Sequence, residues 1–273
     1  MIGASNLRGT LDPLRLMGYD VRDVTTPGWV ASPQNIKTLS DRLCTLDLSN
    51  NIPVVLDLMS NSAFRFVQYD GTQSLPHKMK TGYHLPGDVT LFENGTISKI
   101  ISLLEPVLSL VSNRSKIVIP PLPRYIVAGC CLNEDHCTNR GDNLYAETIL
   151  KDLTRSRNFI KTELGAAGVT NYWVLDWAAV LGEPKPASVV SQLDALKAVS
   201  STDGVHFKKE GYANLAKAIN QKYLDFKNSP TRDLSTRKYY WKGFISCEGS
   251  STRAKTPHFS KKKVGSRAHP YKR

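Results

Sequence analysis

Short apolar runs and longer stretches with helical spacing take turns along this chain. Residues 2–5, IGAS, form a very short opening strand, and 6–18, NLRGTLDPLRLMG, a helix after it. Residues 19–26, YDVRDVTT, are rich in β-branched side chains and read as a second strand that stops at Pro27-Gly28. Residues 32–48 carry a Ser cap and apolar positions at helical spacing. NIPVVLDLMS, 51–60, is almost unbroken in its apolar character, as a strand buried on both faces should be. Residues 64–92 follow no period and scatter Gly, Pro and His, which reads as an insertion, a hairpin over one end of the sheet. The pattern then resumes: a helix over 97–111, a buried strand over 115–123 stopped by prolines, a long helix over 142–168 and a last strand over 171–182. Strand and helix alternating in this way predict an α/β fold, a parallel sheet covered by helices on both faces in three layers.

Composition adds one division to that picture. The 273 residues carry a net charge of +12, unevenly spread. Residues 229–273 hold 12 Lys or Arg against Asp233 and Glu248, a net of +10; the preceding 228 residues carry 24 basic and 22 acidic groups. The expected organisation is a nearly neutral domain over 1–228 and a basic, mostly disordered tail over 229–273. Four aromatics in YYWKGF, 239–244, set one patch of the tail apart, as a segment that docks on the domain or serves recognition. No run reaches the roughly 18 apolar residues of a membrane span, so no membrane partner is expected. The opening sequence lacks a basic start followed by an apolar stretch, which predicts a cytoplasmic or nuclear protein whose five cysteines are thiols. The sequons at Asn94 and Asn113 then carry no glycan.

Candidate chemistry concentrates in 200–219, SSTDGVHFKKEGYANLAKAI. Asp203 and His206 lie three residues apart before a helical stretch with Gly211, Leu215 and Ile219. A carboxylate beside an imidazole can fix its tautomer, which is half of an acyl-transfer triad. The other half is a hydroxyl within reach of the base. Three further blocks precede this one in order: Gly3-Ala4-Ser5 at the end of the first strand, Gly28 after the second, and Ser60-Asn61-Ser62 after VVLDLM.

Together the four blocks resemble the SGNH/GDSL hydrolase family over roughly residues 1–226. The Pro-rich end of the strand at 115–123 resembles the family's fourth strand. The resemblance implies a serine esterase of small acyl or acetyl esters, with Ser5 as nucleophile, His206 as base and Asp203 orienting it. It implies an oxyanion hole made by the Ser5 N–H, the Gly28 N–H and the Asn61 amide. Ala4 stands where the family has Asp, and the third block lacks its leading Gly and trailing Asp; both departures remove supporting contacts rather than the triad. Only four residues precede Ser5, short of a usual strand of about five or six, so the first strand is clipped or the chain is incomplete at this end. Each residue also has a plainer role open to it: Ser5 as a helix cap, Gly28 as a turn glycine, Asn61 as a strand-end cap.

No cofactor motif is visible. Cys130, Cys131, His136 and Cys137 crowd soft ligands into eight residues, but adjacent cysteines suit one zinc ion poorly, and they read as thiols. His77, His84, His258 and His269 have no partner at ligand spacing. No metal is expected. The tail has three readings: a solvated extension, a nuclear-import signal, or a site for RNA or single-stranded nucleic acid through Lys261, Lys262, Lys263, Arg267, Lys272 and Arg273. Its pairing with this domain is similar to the esterase-bearing reading frames of LINE-type retrotransposons. The alternative to an enzyme is therefore a weak or inactive module of the same fold that holds nucleic acid.

Overall fold

The computed structural model describes residues 1–46, 53–59, 94–123, 143–202 and 206–228. Asn61, the 64–92 insertion, the Cys130–Cys137 cluster, Asp203 and the 229–273 tail lie outside them.

Among the described residues, five strands form one parallel sheet: β1 (Ile2–Gly3), β2 (Val24–Thr25), β3 (Val54–Asp57), β4 (Lys116–Val118) and β5 (Tyr172–Val174), in the order β2-β1-β3-β4-β5. Helices alternate with them: α1 (Ser5–Arg8), α2 (Leu11–Leu16), α3 (Pro33–Cys44), α4 (Asn94–Leu103), α5 (Glu105–Leu110), α6 (Asn143–Ala166), α7 (Val189–Val199) and α8 (Lys209–Asn228). All four residues of β3 and all three of β4 are buried, the charged Asp57 and Lys116 among them, as expected of strands covered on both faces. Ile2, Leu56, Ile117, Val118 and Val174 carry one continuous core through the sheet.

The elements are shorter than the sequence pattern suggests, each for a local reason. Residues 6–18 form two helices, because Thr10 Oγ1 turns back to donate to Leu7 O at 2.7 Å. Residues 97–111 break between α4 and α5 two positions before Pro106, which cannot supply a helical N–H. The strand expected over 171–182 ends at Val174; Asp176 then caps a 3-10 helix over Trp177–Leu181, accepting from the Ala178 N–H at 3.0 Å. The Ser32 cap is present, its hydroxyl accepting from Asn35 N, with Pro33 opening α3. Helix α7 was not expected; it opens on a capping box between Ser188 and Ser191.

Two charged or polar features correct or extend the sequence picture. Lys116 is fully buried at the start of β4, its ammonium donating to Ser112 O, Arg114 O and Thr170 O at 2.7–2.9 Å. Burial, with the charge of Arg114 nearby, pushes it down to about 8. Cys44 is disulfide-bonded, so the expectation of five thiols is wrong at this position. The thiol reading came from an assumed compartment, whereas pairing requires only that two sulfurs meet. Disulfides persist in oxidising surroundings, so the cysteines lend no support to a cytoplasmic or nuclear location. No helix among the described residues is long and apolar enough to cross a membrane.

Candidate active site

The order β2-β1-β3-β4-β5 reverses direction at β1: β2 lies to one side, while β3, β4 and β5 extend to the other. In open parallel sheets the crevice at such a reversal, outside the carboxyl ends of the strands, is where ligands bind. Ser5 stands there, two residues beyond the end of β1.

The turn into Ser5 is tightly built. Gly3 adopts φ +153°, and a Cβ added to it would sit 2.4 Å from Asp57 O. Strand pairing continues one residue past β1, with the Ala4 N–H donating to Asp57 O at 3.2 Å. Ala4 is buried and takes the cap position of α1, so Ser5 is the first helical residue and not the cap. Its N–H is therefore among those that a helix leaves without an intrahelical acceptor, and its hydroxyl points away from the helix axis toward His206.

His206 Nε2 lies 3.0 Å from Ser5 Oγ. The two residues are 201 positions apart in sequence, and both are half-buried. The backbone around His206 is held to the end of α7 by two hydrogen bonds, Ser201 N donating to His206 O at 2.8 Å and Lys208 N to Val199 O at 2.7 Å, which together make an antiparallel bridge between Ser200 and Phe207. Three residues, 203–205, separate the two ends of this hairpin, and Asp203 is one of them, outside the described part of the chain.

Gly28 occupies the third position of a Thr26–Trp29 turn closed by Trp29 N donating to Thr26 O at 3.2 Å. Its φ of +67° is what a type II turn demands there, with Pro27 before it. Space is not the constraint, since a Cβ would meet nothing within 4 Å. Thr26 N donates to Gly3 O at 2.8 Å, which hangs this turn beside the strand end that carries Ser5. Asn61, two residues beyond the described end of the β3 segment, lies outside the described residues.

Ser5 opens onto a depression of about 560 Å³ shared with Arg8, Gly9, Asp12, Arg15 and Tyr212. Arg8 Nε lies 3.8 Å from Asp23 Oδ2. Burial alone would raise the Asp23 carboxyl, but hydrogen bonds from the Thr25 hydroxyl and N–H, with the Arg8 charge, hold it below the usual carboxylate range. A second cavity of about 360 Å³ lies at the opposite, amino ends of β1–β3, lined by apolar groups such as Ile2, Val24 and Val54. Among the described residues, its lining includes no nucleophile–base pair.

Three residues at the site had drawn no role from the sequence: Asn6, Gly9 and Tyr212. Tyr212 sits in the GY of the last block, but only the folded chain brings its ring against Gly9 and its hydroxyl beside Asn6. Among the described residues, no group of three His, Cys, Asp or Glu is placed to hold a metal ion. No family model, curated protein or solved structure matches the chain.

Proposed function

We propose that this chain is a serine ester hydrolase of the SGNH/GDSL type, acting on small acyl or acetyl esters. The observation that carries the proposal is the 3.0 Å approach of His206 Nε2 to Ser5 Oγ at the reversal point of a parallel sheet. The fold that goes with this reading has three layers. Right-handed crossovers that leave β1 toward β2 on one side, and run through β3, β4 and β5 on the other, place their helices on opposite faces.

The chemistry follows from the groups present. With its proton on Nδ1, His206 accepts the Ser5 hydroxyl proton at Nε2 as Oγ attacks the ester carbonyl carbon. The carbonyl oxygen becomes an oxyanion, for which the Ser5 N–H, the Gly28 N–H and the Asn61 amide are the proposed donors. Loss of one such donor typically lowers turnover by about 10²–10³. His206 then returns the proton to the departing alkoxide, leaving an acyl group on Ser5. A water deprotonated by the same imidazole attacks that acyl group, and the carboxylic acid leaves as Oγ regains its proton. Asp203 is assigned the task of holding the Nδ1 side of the ring.

The purified chain should hydrolyse p-nitrophenyl acetate without added metal. Ser5→Ala and His206→Ala should each reduce that hydrolysis to background while the protein keeps its circular dichroism spectrum. Equal, slow release from wild type and both variants would sink the enzyme reading.

A second reading rests on charge. The tail carries +10 of the net +12, and phosphate neutralisation by Lys and Arg is the main source of non-specific affinity for nucleic acid. In that reading the domain is a weak or inactive hydrolase, and residues 229–273 hold RNA or single-stranded nucleic acid.

A further inference from the structure

Nothing covalent holds the proposed nucleophile and base together. Ser5 opens α1 directly after β1, and His206 belongs to a hairpin between α7 and α8. Their 3.0 Å separation is set by contacts between these segments. One side chain touches both.

Tyr212, on the first turn of α8, accepts the Phe207 N–H at 3.3 Å and donates to Asn6 Oδ1 at 3.4 Å. Phe207 directly follows His206, and Asn6 directly follows Ser5. Asn6 is only 3% exposed, so the phenol meets a polar group that has been withdrawn from water. The ring is seated as firmly as the hydroxyl. A Cβ at Gly9 would lie 2.4–2.5 Å from three of its carbons, and Phe207 meets it edge-on at 5.8 Å and 85°. Gly9 therefore leaves the place that the ring fills, one helical turn from Ser5. A phenylalanine could fill the same place. Only a group that accepts and donates at once can join the Phe207 backbone to the Asn6 side chain.

We propose that Tyr212 is a positioning residue that holds the His206 hairpin in register with the Ser5 turn, through the Phe207 N–H on one side and Asn6 on the other. The inference rests on the ester-hydrolase reading, since a position is worth holding here only if Ser5 and His206 react. Misplacing a reacting group by about 1 Å can cost on the order of 10² in rate. Two rather long hydrogen bonds control less than that, so a loss of about tenfold is expected when both are removed together.

The test is Tyr212→Phe in the full chain, with Asn6→Ala and the double variant beside it. Tyr212→Phe keeps the ring in the Gly9 gap, so the melting temperature should stay near that of wild type. Hydrolysis of p-nitrophenyl acetate should show kcat down about tenfold with KM unchanged, the signature of an interaction that matters in the transition state. Because Asn6 and Tyr212 act through one bond, the double variant should lose little more than the worse single variant. A readout without turnover accompanies the kinetics: the ¹⁵N shift of His206 Nε2 should move in Tyr212→Phe toward its value in Ser5→Ala. If wild type hydrolyses the ester and Tyr212→Phe matches it in kcat and in that shift, the positioning role is overturned while the enzyme stands. If wild type itself is inactive, the enzyme reading falls and the positioning role of Tyr212 falls with it.

Discussion

At the scale of single residues, Gly3 is the position least free to change. Its φ of +153° lies where a side chain is strained, and the missing Cβ would stand 2.4 Å from the Asp57 carbonyl oxygen. That oxygen belongs to the neighbouring strand and receives the Ala4 N–H, so it cannot withdraw without breaking the pairing that positions Ser5. Backbone strain and overpacking of this kind each cost about 1–3 kcal/mol. Gly3→Ala should therefore lower the unfolding free energy by a few kcal/mol in urea titration, well beyond the effect of an ordinary surface glycine. A Gly3→Ala protein as stable as wild type would show that β1 and β3 do not approach as described. Gly28 differs in kind, for its turn needs only the left-handed conformation and leaves space around it.

At the scale of elements, the sequence was readable where burial dictates composition. VVLD and KIV are strands with every residue buried, and apart from Asp57 and Lys116 they show the apolar character that burial on both faces of a sheet produces. It was misread where one polar side chain or one proline decides an ending. Pro106 divides a helix, and Asp176 turns the tail of an expected strand into a 3-10 helix, although the apolar pattern runs on through both. The site divides similarly. Ser5 and His206 were legible because their blocks have a recognisable form and order, and the fold brings them to 3.0 Å. Tyr212 and Gly9 were not, because their relation is one of shape: a ring lying against a missing Cβ. Lys116 is another such case. Nothing in SKIVIP announces that this lysine, rather than an exposed one, will thread three carbonyl oxygens and join the α5–β4 turn to the approach to β5.

At the scale of the whole molecule, charge divides the chain into two parts. The net of +10 in 229–273 contrasts with +2 in the remainder, while every residue proposed for catalysis or for positioning lies at or before Tyr212. Deleting 229–273 should leave ester hydrolysis intact. If nucleic acid is a partner, the same deletion should remove most of the affinity for single-stranded RNA. The intact chain's log affinity should then fall linearly with log salt. A truncation after Ser246 keeps YYWKGF yet removes Lys261, Lys262, Lys263, Arg267, Lys272 and Arg273, which separates the aromatic patch from the charge. Should both truncations bind as tightly as the full chain with the same salt slope, the tail is not the nucleic-acid site. The central claim, that Ser5 is a nucleophile activated by His206, is tested most directly by a fluorophosphonate probe, which phosphonylates an activated serine and reports its position by mass. The account predicts a single adduct on the peptide containing Ser5, absent in Ser5→Ala and strongly slowed in His206→Ala. No adduct on the folded wild-type chain, or one that persists unchanged in Ser5→Ala, would contradict it.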